Sequence, residues 1–251
     1  MNILAEPFWV QKRGNPPGEY EDAACPLERS EYQQTCVRLA VADGATESVF
    51  ARRWAEQLVY AVGDGDLSPR SLSEGIARLR ATWHEWLAGI TLSWYAEEKA
   101  RQGAFAALVA LELTAEEAGG TGQGYWHAAA VGDSCLFHVR GEEVLVRFPL
   151  ANPEAFDNRP FLVSSVGADE KCLNEMNLSG TWKSGDAFYL MTDALACWFL
   201  KHLDAGGSLA DVQGNFAFTT ETDSFRVWVE SLRDKGSIRN DDCTLIRVHT
   251  R

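Results

Sequence analysis

The chain has little of what several large classes of protein require. None of its 251 residues fall in a run approaching the ~20 consecutive apolar positions that span a bilayer. Basic residues are scarce: 23 Lys and Arg stand against 36 Asp and Glu, a net charge of -13. That deficit argues against nucleic acid, whose phosphates need a basic face. It fits a protein that gathers carboxylates around cations or, more simply, a solvated acidic surface. The cysteines (Cys25, Cys36, Cys135, Cys172, Cys197, Cys243) form no CxxC pair, and no His stands at metal-finger spacing. Five lie in or beside apolar runs, where a free thiol behaves as a small buried hydrophobe. The first thirteen residues carry no basic region followed by an apolar core, so no signal peptide is expected. A reduced, cytoplasmic protein is the expectation.

What is present is ordinary for a globular chain: 46% apolar and 24% charged residues, with nine Trp and twelve Phe to fill a core. The length lies within reach of one large domain, and 1–251 reads as a single unit. Strand-like and helical stretches come in blocks. Residues 8–12, 22–26 and 36–42 read as strands. From Thr46 the period changes: Val49, Trp54, Leu58 and Val62 mark one face of a helix that Gly63 to Asp66 ends. A second helical region follows Ser68-Pro69 to about Arg101, with a break near Gly89. Strands return at 104–113, 124–131, 135–140 and 144–148. Residues 151–180 read as an irregular flap, 187–191 as a buried strand, 194–203 and 224–235 as helices, and 243–249 as a closing strand. Blocks of strands with paired helices imply an α+β layered domain rather than a doubly wound parallel sheet.

Four acids lie where apolar strands run out: Asp22, Asp43, Asp193 and Asp241. A buried carboxylate is costly unless something pairs with it. No Lys or Arg is evident beside these four, which calls for a cation, and hard oxygen donors favour Mg²⁺ or Mn²⁺ over zinc. Each acid also has a plainer reading. Asp43-Gly44 is a common turn pair, Asp193 a helix N-cap, and one of Asp241 and Asp242 merely solvated. Asp133, in Gly-Asp-Ser, is equally a hairpin turn.

Six short motifs follow one another along the chain: Glu21-Asp22-Ala23, Val41-Ala42-Asp43-Gly44, Gly103-Ala104-Phe105-Ala106, Val131-Gly132-Asp133-Ser134, Met191-Thr192-Asp193 and Asp241-Asp242-Cys243-Thr244. Each alone is weak. In this order and approximate spacing, over residues 10–249, the chain resembles the PP2C-type metal-dependent serine/threonine phosphatases. The resemblance implies a four-layer α-β-β-α sandwich of two antiparallel sheets flanked by helix pairs. It implies two Mn²⁺ or Mg²⁺ ions holding a water, whose lowered pKa supplies a hydroxide that attacks phosphorus directly. Asp43 matches the bridging carboxylate, and the Gly44 carbonyl a ligand of one ion. Glu21 and Asp22 match the acidic pair after the first hairpin, and Asp193 and Asp241 the ligands of the other ion. Asp133 matches a residue that in many members helps bind a third, weaker ion.

The chain departs from the family pattern on the phosphate side. The Arg that usually precedes the acidic pair is replaced by Pro16-Pro17-Gly18, leaving Arg13 as the candidate phosphate ligand. Ala45-Thr46-Glu47, Ala194 and Asp242 replace the usual glycines and Asn. The five histidines share no motif or ligand spacing and read as structural, and the aromatics at 83–86 and 94–95 read as helix packing. Two functions follow: a phosphoprotein phosphatase opposing a serine/threonine kinase, or a catalytically silent domain of the same fold that binds a partner such as a kinase. Neither reading involves nucleic acid or a membrane.

Overall fold

The computed structural model describes residues 1–116, 122–157, 160–167, 173–216 and 222–251. Among these residues, twelve strands and six α-helices follow in the order β1 (Ile3–Val10), β2 (Ala23–Cys25), β3 (Ser30–Tyr32), β4 (Cys36–Gly44), α1 (Ala51–Asp64), α2 (Leu72–Ala88), α3 (Trp94–Gln102), β5 (Phe105–Ala115), β6 (Gln123–Val131), β7 (Cys135–Arg140), β8 (Glu143–Phe148), β9 (Val163–Ser164), β10 (Met176–Lys183), β11 (Asp186–Met191), α4 (Asp193–Asp204), α5 (Leu209–Phe216), α6 (Thr222–Asp234) and β12 (Cys243–Thr250).

Two antiparallel sheets form, ordered β3-β1-β12-β11-β7-β8 and β10-β6-β5-β4-β2, with β9 added to β5. Between them lies an apolar layer that includes Ile3, Leu39, Val41, Leu111, Phe188 and Ile246. The outer face of β4, β5 and β6 is lined with alanines and packs on Trp54, Leu58, Leu72 and Trp83 of α1 and α2. Such small residues let helices approach a sheet closely. Beyond the other sheet, Phe199 of α4, Leu209 of α5 and Phe225 of α6 pack on Phe137, Tyr189 and Leu245. The expected α-β-β-α sandwich is therefore the observed fold, although a third helix joins the second outer layer.

Some boundaries differ from the sequence reading. Helix α1 starts at Ala51 rather than near Thr46. The intervening segment is tied to β5 instead, with the Ala45 N–H donating to the Phe105 carbonyl at 2.9 Å and Ser48 Oγ accepting from the Phe105 N–H. The irregular flap contains a short strand, β9, paired with β5, and the start of another, β10, paired along its whole length with β6. Its polar sequence hides it, because an edge strand exposes one face and draws its order from its neighbour's ladder. Parts of that flap (158–159 and 168–172), and Cys172 with them, lie outside the described residues. Strand β3 and helix α5 were also not expected. Trp83 is buried as predicted, but Trp94 and Tyr95 are 77% and 56% exposed, so they are not packing residues.

Trp54 joins the layers: fully buried, it donates from Nε1 to the Val163 carbonyl of β9 at 2.8 Å. Trp54→Phe should destabilise the protein by about 1–3 kcal/mol, by removing that donor and leaving a gap. Urea denaturation measures this.

Candidate active site

Register brings the acids together. Met191, the last residue of β11, lies opposite Leu245 of β12 and Cys135 of β7. Asp193 just after β11, Asp241 just before β12 and Asp133 just before β7 therefore share one edge of the first sheet. In the second sheet, Ala23 pairs with Ala42, which sets Asp22 beside the end of β4 where Asp43 lies. The turn 132–134 carries the chain from β6 of one sheet to β7 of the other, so the two edges adjoin.

Two glycines make the approach possible. A Cβ on Gly44 would lie 2.7 Å from the Glu21 carbonyl oxygen and 2.9 Å from the Ala51 backbone. Gly132 has φ +97 and would press on Ala107.

The carboxyls feel one another. Burial, then the charges of Asp22, Asp193, Asp133 and Asp241, push Asp43 well above the usual carboxylate range. Asp22 is raised likewise by burial and by Asp242. Asp133 is raised to about 7 by burial and Asp193. Asp193 is raised by burial and by the charge of Asp241, against the lowering effect of the Arg239 guanidinium beside it. Asp193 is the first residue of α4, with Thr192 as the N-cap, so its charge also faces the helix's positive end. Glu21 is half-buried, raised by burial, and hydrogen-bonded to Thr46.

Hydroxyls and a second acid hold this set in place. Asp22 Oδ2 accepts from Thr244 Oγ1 at 2.6 Å and from Thr192 Oγ1 at 3.0 Å. Tyr20 in turn bonds Thr244. Asp242 is buried rather than facing water. Its Oδ1 accepts the Lys12 N–H and its Oδ2 the Glu21 N–H, each at 2.7 Å, clamping both ends of the segment that joins β1 to β2 onto the start of β12.

The expectation that no base accompanies the acids is corrected. Arg239 Nη2 contacts Asp193 and, at 2.8 Å, Asp241, while Lys12 Nζ lies 3.5 Å from Asp241. A tight turn, in which the Asp241 N–H donates to the Arg239 carbonyl at 3.0 Å, folds the arginine back onto its near neighbour. Arg239 stands two positions before Asp241, and that spacing was the available signal. Thr192 and Thr244 were visible only as parts of motifs. Arg13 is engaged elsewhere: its guanidinium bonds Glu230 and, at 2.8 Å, Asp234 on α6. Of the histidines, His138 is buried against Asp186 at 2.9 Å.

The donors are all hard oxygens, suited to Mg²⁺ or Mn²⁺. Among the described residues, no three His, Cys, Asp or Glu side chains already form a metal cage. The cation seated among them is Arg239. The donor chemistry thus fits a divalent ion once that guanidinium moves.

No family model matches the chain, and no curated protein matches it. Solved structures do. The serine/threonine phosphatase PstP/Ppp of Mycobacterium tuberculosis superposes with a TM-score of 0.59 at 12% identity, covering 100% of both chains. The serine/threonine phosphatase of S. agalactiae gives 0.59 at 14%, covering 98% of this chain and 100% of that one. The catalytic domain of PstP in complex with 2 manganese ions gives 0.57 at 14%, covering 98% of each. The chain has the fold of these phosphatases, the one its motifs resemble.

Two predictions follow from the acids. A carboxyl whose pKa is higher folded than unfolded costs stability as pH rises from the unfolded value to the folded one. For Asp133 that window runs from 3.8 to about 7. In EDTA, Asp133→Asn should therefore raise Tm over wild type by an increment that grows across this window and is constant above it. Asp242→Ala should cost about 2–4 kcal/mol in chemical denaturation, since two backbone N–H groups lose their acceptor.

Proposed function

We propose that this chain is a divalent-metal-dependent phosphatase acting on phosphoserine and phosphothreonine in proteins. The observation that carries the reading is the convergence of Asp22, Asp43, Asp133, Asp193 and Asp241 from both sheets onto one edge. The manganese complex of PstP, which shares the fold, supports the choice of ion. Asp43, Asp193 and Asp241 would hold Mn²⁺ or Mg²⁺, with Glu21, Asp22, the Gly44 carbonyl and Asp133 completing the sites. A bound pair of such ions supplies Lewis acidity toward phosphoryl oxygens and an ionised water near neutral pH.

The chain's own groups do the positioning. Thr192 and Thr244 fix one oxygen of Asp22, and the Asp242 clamp fixes the backbone beside Glu21. The interlayer core holds both strand edges rigid, so the acids converge without reorganisation. The wider reading includes a cytoplasmic protein opposing a serine/threonine kinase, with no nucleic acid or membrane involved. The net charge of -13 supports the part of this reading that excludes nucleic acid.

One observation favours a second reading, a silent domain that binds a partner. Arg13 is held by α6, and Arg239 by the acids, so both arginines are committed. Hydrolysis of p-nitrophenyl phosphate with Mn²⁺ separates the two. Turnover that EDTA stops and Asp43→Asn lowers at least about a hundredfold supports the enzyme. Absence of turnover while Mn²⁺ binds supports the silent domain.

A further inference from the structure

Arg239 sits in an unusual position for a charged side chain with half its surface exposed. Its Nη2 lies between Asp193 and Asp241, two acids at the same sheet edge. Burial opposes its charge, yet Asp193, Asp241, Asp43 and Asp133 together raise its pKa. The backbone beneath it is pinned from both sides. Asn240 exchanges two hydrogen bonds with the Arg13 backbone, at 2.9 and 3.1 Å, and Arg233 donates to the Asp241 carbonyl at 2.5 Å. Among the described residues, no hydrogen bond fixes the guanidinium except those to the acids. Its base is anchored, and its tip is held by charged hydrogen bonding to Asp193 and by the charge of Asp241.

Resting on the phosphatase reading, we propose that Arg239 is a tethered cation that occupies the acids in the absence of metal. A divalent ion displaces it, and the freed guanidinium then binds the phosphoryl group of the substrate. Arg239 takes an oxygen of Asp193 and one of Asp241, two of the acids that would hold the ion, so guanidinium and ion would compete for the same carboxylates. A divalent ion carries twice the charge and binds several oxygens together. The displaced fork stays within a side chain's length of the site and matches a phosphate's paired oxygens. Lys12 offers only a point charge, and Arg13 is held by two carboxylates of α6.

Titration calorimetry tests both halves without turnover. Arg239→Ala should bind Mn²⁺ about five- to tenfold more tightly than wild type, the competing charge being gone. With Mn²⁺ saturating, it should bind orthophosphate about five- to tenfold more weakly, and Arg239→Lys should fall between for both. The position is half-exposed, and circular dichroism checks that each variant folds. Unchanged or weaker Mn²⁺ binding in Arg239→Ala overturns the proposal, as does unaltered orthophosphate binding. If wild type shows Mn²⁺-dependent hydrolysis, such a result sinks this proposal alone. If neither form binds Mn²⁺, the phosphatase reading falls with it.

Discussion

Like charges repel more strongly as water is removed from around them, and this molecule crowds five carboxylates at one edge where its two sheets meet. Asp22, Asp43, Asp133 and Asp193 are each pushed toward the protonated form, with Asp193, Asp43 and their neighbours acting on one another. An arrangement of this kind opposes folding unless something else holds it. Several features here exist to hold it: a hydroxyl pair on Asp22, a helix N-terminus under Asp193, and a guanidinium across Asp193 and Asp241.

The buried acid beside the cluster has a different task. Asp242 spends both oxygens on backbone N–H groups of the segment after β1, a segment more than two hundred positions away in sequence. That segment leads directly to Glu21 and Asp22. Two adjacent acids therefore divide the work, Asp241 facing cations and Asp242 fixing the chain that delivers the opposing carboxylates. An Asn at 242 would offer one acceptor oxygen where two donors converge, which is a physical reason for the acid here.

Much of this was legible from the residues. Periodicity located the long strands and helices, because each packs one face and leaves the other to water. The acids at strand ends stood out because burial makes them costly. What escaped detection shares a cause: its order comes from partners rather than from local pattern. Strand β10 is polar and follows β6; Arg239 is an unremarkable arginine until a tight turn folds it onto Asp241; Asp242 looked redundant until its two donors came from the segment between β1 and β2. Arg13, judged by its place in the sequence, faces α6 because Glu230 and Asp234 offer it two carboxylates there.

The acids cannot relieve their repulsion by moving apart. Each stands at the end of a strand whose ladder is fixed along its length, and the two sheets are locked by the apolar layer between them. Strands in a packed sandwich do not slip without turning their buried faces outward. The repulsion is therefore relieved by taking up positive charge, and on the proposed reading three kinds compete for these carboxylates: protons, the Arg239 guanidinium and a divalent ion. Protons satisfy one oxygen each, and the guanidinium satisfies the outer pair while leaving Asp43 and Asp133 in need. Only a small ion of higher charge can address several of these oxygens from one point. On the proposed reading, the rigidity of the sandwich, more than any single ligand, is what would make the edge a cation site.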